Sequence, residues 1–335
     1  SVYNVGHAVN PDPADPDLHR IRRPLDPYGA VSSWEDVEKI WSHAFSEMGA
    51  SPASRPVVMT EPFIHPQGRQ RLDQITIVFE TFDASAYYAA TPGLLSAYAA
   101  NRPIALVIDS GYSQTCIVPV YEFTQLRPRP RRAEVAGQSL DSWLAHALLW
   151  DEGVDFSSNG EREDVVSTMK FRHARVALDF GVQSARWAEA GLAEGRRWEL
   201  PDGRVITPRR PLGLLAGEAM FDHGVVGLDD GEFTSCARLT VSRCDAALRE
   251  ALYGNVLLAG GNTLIPGFGE RLKKGLEGRD STAKKTVNII SPRKRMYSAW
   301  AGGSILSELS TFGSMCISRA EYDESGPEIV NRKCI

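Results

Sequence analysis

Read for the alternation of apolar and polar residues, the chain falls into helical and extended stretches in turn. Trp34, Val37, Ile40, Trp41, Ala44, Phe45 and Met48 recur at three- and four-residue steps, the period of one helix face. Ser32 with Glu35 three residues on has the form of a capping box, and Gly49 marks the stop. Residues 56–60 make a short apolar run of strand length. A second helical period covers 71–82 with Leu72, Ile75, Phe79 and Phe82 inward, and a shorter one covers 92–100. It leads directly into 104–108, an apolar run too short for a helix and suited to a buried strand. That strand ends in Asp109-Ser110-Gly111, and a β-rich run follows over 116–121. Physically this is a hairpin carrying a carboxylate and a glycine at its tip. Glycine lets backbone N–H groups approach an anion, and an aspartate there can hold a magnesium ion through water. An ordinary tight turn uses the same residue types, so the residues alone leave both readings open.

Further along, helices are expected over 139–149 and 161–180, and a β-hairpin over 198–207 around Asp202-Gly203. Residues 217–227 read as loop with a short helical piece. A helix over 245–253 precedes a strand over 256–259, then the turn Gly260-Gly261-Asn262, then Pro266-Gly267 and a helix to Lys274. After a strand over 287–290, a last helix over 297–309 carries the small residues Ala299, Ala301, Gly302, Gly303 and Ser304, which allow close packing. Residues 1–30 are polar and proline-rich, an irregular lead-in. Strands alternating with helices argue for the α/β class. Two strand-then-glycine turns, at 109–111 and 260–261, predict two similar half-domains with a phosphate-bearing ligand in a cleft between them.

Composition changes this picture little. With 335 residues, 43% hydrophobic and 24% charged, the chain is that of an ordinary globular protein with one large domain or two. A net charge of −5 offers no general attraction to nucleic acid or an anionic membrane. The basic run over 127–132 is broken by prolines and reads as an exposed loop. Cysteines 116, 236, 244, 316 and 334 are odd in number and lack metal-ligand spacing, which fits free thiols in a reducing compartment. No stretch is long and apolar enough to span a membrane as a helix.

Longer phrases carry a resemblance. SWEDVEKIW (33–41), FETFDASAYYAA (79–90), VALDF (176–180), ELPDGRVIT (199–207), LLAGGNTLIPG (257–267), YSAWAGGSILSELSTF (297–312) and EYDESGPEIVNRKCI (321–335) are similar to actin and the actin-related proteins, from about residue 28 onward. The resemblance implies a two-lobed fold of the actin, hexokinase and heat-shock-chaperone kind, duplicated on ribonuclease-H-like sheets. Residues 1–101 and 297–335 would make the first lobe, incomplete at its N-terminal end, and 102–296 the second, with a peripheral subdomain over 138–230. ATP or ADP with magnesium is the implied cofactor. Asp109 would face the metal through water, Ser110 and Gly111 the phosphates, Gly137 the ribose and Lys170 the base, with Gly260, Gly261 and Asn262 beside the nucleotide.

Departures from the family pattern accompany these matches. Pro92 and Cys116 stand where the family places its water-positioning residues. Tyr112 and Ser113 replace smaller residues of the phosphate hairpin. Phe171, Ile265 and Met296 replace an acid near the ribose, an aromatic near the adenine and a basic residue near the base. Phosphoryl transfer depends on positioned charge and an oriented nucleophile, so no catalytic residue is assigned and weak or structural nucleotide binding without hydrolysis is expected. A hydrophobic groove lined by Tyr98, Ala99, Leu306, Leu309, Thr311 and Met315 is implied as the seat of actin-family subunits or actin-binding proteins. The role expected is a cytoskeletal or complex-scaffold subunit in the cytoplasm, with the nucleus left open and no direct contact with nucleic acid or membrane. A filament-forming ATPase, or a subunit of a chromatin-remodelling or dynactin-like complex, are the alternatives.

Overall fold

The computed structural model describes residues 23–26, 29–53, 55–61, 68–126, 131–133, 135–154, 162–189, 197–200, 203–227, 233–278 and 286–334. Two compact units divide the chain, Ser1–Ala100 with Ser298–Ile335 and Asn101–Tyr297.

The first unit opens on α1 (Trp34–Glu47), where Ser33 Oγ accepts from the Asp36 amide at 3.3 Å. Ser32 is not the cap. Its hydroxyl donates to the Pro24 carbonyl and Glu35 pairs with Lys39, so the expected capping box does not form and a single side-chain cap one residue later takes its place. Trp41 and Phe45 of α1 pack on Phe82. β1 (Pro56–Thr60) is followed by α2 (Arg69–Thr76), which does not run on to Phe82 as one α-helix. It widens into a π-type turn over Ile77–Thr81, closed by the Phe82 amide on the Ile77 carbonyl at 3.1 Å. β2 (Ala86–Ala90) pairs in parallel with β1 and is absent from the sequence reading. Its residues from Tyr87 to Ala90 are all buried, so no polar face marks the strand's two-residue period. α3 (Pro92–Ala99) starts on Thr91, whose Oγ1 accepts from the Leu94 amide, with proline at the first helical position.

The second unit is built on β3 (Ile104–Ser110), antiparallel to β4 (Thr115–Tyr121) with Asp109 opposite Cys116. β5 (Thr124–Gln125) and β6 (Arg131–Ala133) both pair with β4, so Arg131 and Arg132 lie in a strand rather than a loop; the rest of that basic run is outside the described residues. α4 (Gly137–Glu152) follows. The helix expected over 161–180 is two helices, α5 (Arg162–His173) and α6 (Phe180–Glu189), with an extended segment between them. Neighbouring backbone wins over helical propensity here. The Arg175 amide donates to the Gly213 carbonyl at 3.0 Å and the Val176 amide to Pro266 at 2.8 Å. A Cβ on Gly217 would sit 2.0 Å from the Arg175 carbonyl oxygen, so this segment is threaded against bare glycine backbone.

β7 (Trp198–Glu199) and β8 (Val205–Ile206) form the expected hairpin in shorter form, its Asp202 outside the described residues. α7 (Leu212–Glu218) runs into the start of 217–227, where the short helical piece expected is a 3-10 turn over His223–Val226, and residues 228–230 are outside the described set. α8 (Phe233–Ser242), unforeseen, precedes α9 (Ala246–Tyr253) and β9 (Val256–Ala259), with α10 (Phe268–Glu277) and β10 (Ile289–Ile290) after them. β9 is parallel to both β3 and β10, with Asp109 level with Ala259. The core beneath holds Leu106, Ile108, Phe221, Phe233 and Phe268, all within 1% of full burial.

The chain returns to the first unit with α11 (Ser298–Ser307), pressed so closely on α3 that a Cβ on Gly302 would lie 1.7 Å from the Leu95 carbonyl oxygen. α12 (Phe312–Met315) and β11 (Ile317–Ser318) follow, β11 antiparallel to β2. α13 (Arg319–Ser325) carries a true capping box of Ser318 and Glu321, and α14 (Val330–Lys333) ends the description. Arg71 on α2 binds Glu61 Oε2 at 2.7 Å, Asn331 Oδ1 at 3.2 Å and the Cys334 carbonyl, fastening the tail to α2.

Candidate functional site

The two glycine turns do not belong to two half-domains. They end adjacent parallel strands, β3 and β9, of one sheet in the second unit. The repeated strand-then-glycine pattern suggested duplication, whereas pairing makes them two sides of one sheet end.

All eight cradle residues expected from the sequence converge there. The Gly111 carbonyl accepts from the Gly137 amide at 3.0 Å and from Asn262 Nδ2 at 2.7 Å. Asn262 Nδ2 also reaches Ser110 Oγ at 3.1 Å, Ser110 Oγ lies 2.8 Å from Thr115 Oγ1, and Thr115 Oγ1 donates to the Val135 carbonyl at 2.8 Å. Because the Thr115 proton points to Val135, the Ser110 hydroxyl donates to Thr115, and the chain of bonds runs one way from Asn262 to Val135. Gly260, at φ +81°, has Ser110 O only 2.2 Å from where its Cβ would be, so only glycine lets the turns meet. Lys170 is buried under the cradle, its Nζ 3.1 Å from the Gly137 carbonyl and 2.9 Å from Asp141 Oδ1. Burial pulls the ammonium's pKa down and the Asp141 carboxylate pushes it back up. Phe171 lies over Gly261, ring carbon Cζ 3.6 Å from the position of a Cβ there.

Asp109 differs from its neighbours. Among the described residues its carboxylate makes no ion pair or hydrogen bond, and desolvation raises its pKa from 3.8 to about 6. A bare, desolvated carboxylate beside glycine turns is a fitting donor for a divalent cation. Gly137 and Gly260 are filled by the protein's own backbone, but Gly111 and Gly261 face only ordinary contacts, which leaves room there for a ligand.

Cys116, Pro92, Ile265 and Met296, which depart from the family pattern, hold apolar or thiol side chains. Cys116 is almost buried, its Sγ 3.6 Å from Gln114 Oε1. Pro92 belongs to the first unit, its ring at the start of α3 and its carbonyl accepting from Ser96 Oγ at 2.8 Å. Ile265 is buried and Met296 is 48% exposed. The groove residues sit on α3, α11, the turn after it and α12. Leu306 is completely buried between elements, whereas Leu309 is 40% exposed and Thr311 lies at the surface. A cavity of about 400 Å³ lies elsewhere in the second unit, lined by Leu178, Asp179, Arg238, Arg271 and Lys274, and shares no residue with the cradle. Its cations already serve the fold, Arg271 on Glu218 at 2.9 Å and Lys274 on the Leu178 carbonyl at 2.9 Å.

Sequence reasoning missed Thr115 and Asp141. Asp141 had a signal, a carboxylate between Leu140 and Leu144 on a helix face buried in the core. Thr115 had none, since a threonine opening a strand is commonplace.

The family model for Actin matches residues 3–335. The chain belongs to the actin family, and its mixed helices and sheets fit an actin-like fold.

Proposed function

We propose that this actin-family chain is a cytoskeletal or complex-scaffold subunit that binds partners and carries an adenine nucleotide with magnesium as a structural ligand rather than a fuel. Asp109 is the observation that supports the ligand, a desolvated carboxylate that has no hydrogen-bond or ion-pair partner among the described residues, at the tip of a buried strand. It would hold a magnesium ion through water. Ser110, Gly111 and the turn at Gly260 to Asn262 would offer backbone to phosphate, with Gly137 and Lys170 flanking. Bound magnesium offsets phosphate charge.

Turnover needs more than binding. A nucleophilic water must be oriented by a side chain with a donor or acceptor. The positions the family uses for that are Pro92, whose ring has neither, and Cys116, whose thiol is buried and a weak donor. Partner contact would run through the surface around Tyr98, Ala99, Leu309, Thr311 and Met315, with Leu306 as its inner wall, and the cytoskeleton is the proposed location. The two-lobed, duplicated architecture of the family is part of the same reading.

Calorimetric titration with magnesium and ATP, followed by a phosphate-release assay on the same sample, tests this. Saturable binding without release above background is expected. Sustained release of phosphate would sink the structural-ligand reading, and absence of any binding would remove the ligand from it.

A further inference from the structure

Successive residues at the end of α5 differ sharply in exposure. Lys170 is turned inward, 1% exposed, to the Gly137 carbonyl and Asp141. Phe171 is turned outward and 45% exposed, its ring edge against Gly261. Among the described residues its only ring interaction is with the Lys170 ammonium, 5.1 Å from the centroid, an attraction that steadies the ring. A phenyl ring 45% exposed that packs against no other ring among the described residues, beside a glycine that leaves its edge clear, is poorly explained as core. It is well placed as a surface for another flat group.

We propose that Phe171 is a stacking platform for the base of the bound nucleotide and makes the site tolerant of which base and which sugar it takes. The inference rests on the nucleotide reading above and specifies its selectivity. Phenyl carries no donor or acceptor, so it cannot read exocyclic amino or keto groups or a sugar hydroxyl. Stacking responds to the π face, which every base has. A site that recognises its ligand this way separates base-bearing from base-free polyphosphates strongly, and bases from one another weakly. A polar residue at position 171 would have done the reverse, because an unmatched buried hydrogen-bonding group discriminates far more than apolar contact does.

The test measures dissociation constants with magnesium for ATP, GTP, 2′-deoxy-ATP and inorganic tripolyphosphate, on the wild-type chain, Phe171→Ala and Phe171→Trp. For the wild type the three nucleotides are expected within about three-fold of one another and about ten-fold or more tighter than tripolyphosphate, the size of one stacked base. Phe171→Ala should bring the nucleotides to the tripolyphosphate level and leave tripolyphosphate itself unchanged, and Phe171→Trp should restore the difference. A merely structural role would weaken all four ligands together. The inference is overturned if Phe171→Ala leaves ATP affinity as it was, if it weakens tripolyphosphate equally, or if the wild type separates ATP from GTP by more than about ten-fold. If none of the four ligands binds the wild type, the nucleotide reading falls first and this one with it.

Discussion

Replacing Asp109 by asparagine should make the ligand-free chain more stable while removing its response to magnesium. Moving the carboxyl from 3.8 to about 6 amounts to roughly 3 kcal/mol against the ionised form at about pH 8. An asparagine amide in the same place also loses solvent, at about 1 kcal/mol. The net gain expected for Asp109→Asn is therefore about 2 kcal/mol, or about 3 °C in a melt. The sign follows from linkage. An acid whose folded pKa lies above its unfolded one holds its proton more tightly when folded, so its contribution favours folding at low pH and is lost as pH rises through about 6. The advantage of the variant must accordingly shrink to below about 1 kcal/mol near pH 5, where the wild-type carboxyl is itself largely protonated. Chemical denaturation in chelator at about pH 8 and pH 5, then with magnesium and ATP, reads all of this. A variant less stable than wild type at the higher pH, or equally favoured at both, refutes the claim that Asp109 is a desolvated anion awaiting a cation.

Four more outcomes are expected. Lys170→Met should cost about 3–5 kcal/mol, because it removes the ammonium from a buried ion pair with Asp141; a denaturant melt checks it, with Lys170→Met/Asp141→Leu recovering much of the loss. Gly302→Ala should destabilise by about 3 kcal/mol or more, since the new carbon meets the Leu95 carbonyl rather than a movable side chain, and thermal unfolding shows it. Ser33→Ala should cost about 1 kcal/mol and Ser32→Ala clearly less, which locates the α1 cap. Ser318→Ala should also cost about 1 kcal/mol by removing the side-chain half of the capping box, the backbone amide at 318 still donating to Glu321, again in a denaturant melt.

Long segments with a clear period were legible: α1, the strand at β3, the helix at α9 and the strand at β9 lie where the apolar spacing puts them. What escaped was set by the neighbours of a segment. The extended backbone at Ala174 to Val176 exists because Gly213, Gly217 and Pro266 receive it, and no local signal in 161–180 could announce partners so distant in sequence. β2 was silent for the opposite reason, being buried on every side. The cradle shows both limits together. Its residues were individually visible, and the family resemblance grouped them, but spacing alone assigned the two glycine turns to separate halves when parallel pairing makes them one feature. Lys170 is the reverse case, a polar residue whose importance becomes physical only once Asp141 and the Gly137 carbonyl are seen around it.

The level pairing of Asp109 with Ala259 has a bearing on how this chain can change over time. Both turns inherit their positions from the same ladder, so adding or deleting one residue inside either strand would rotate every side chain beyond it to the opposite face. Asp109 would then point away from Gly260 even though no residue had been substituted. Point changes can retune what rests on this ledge, whereas its length admits no editing.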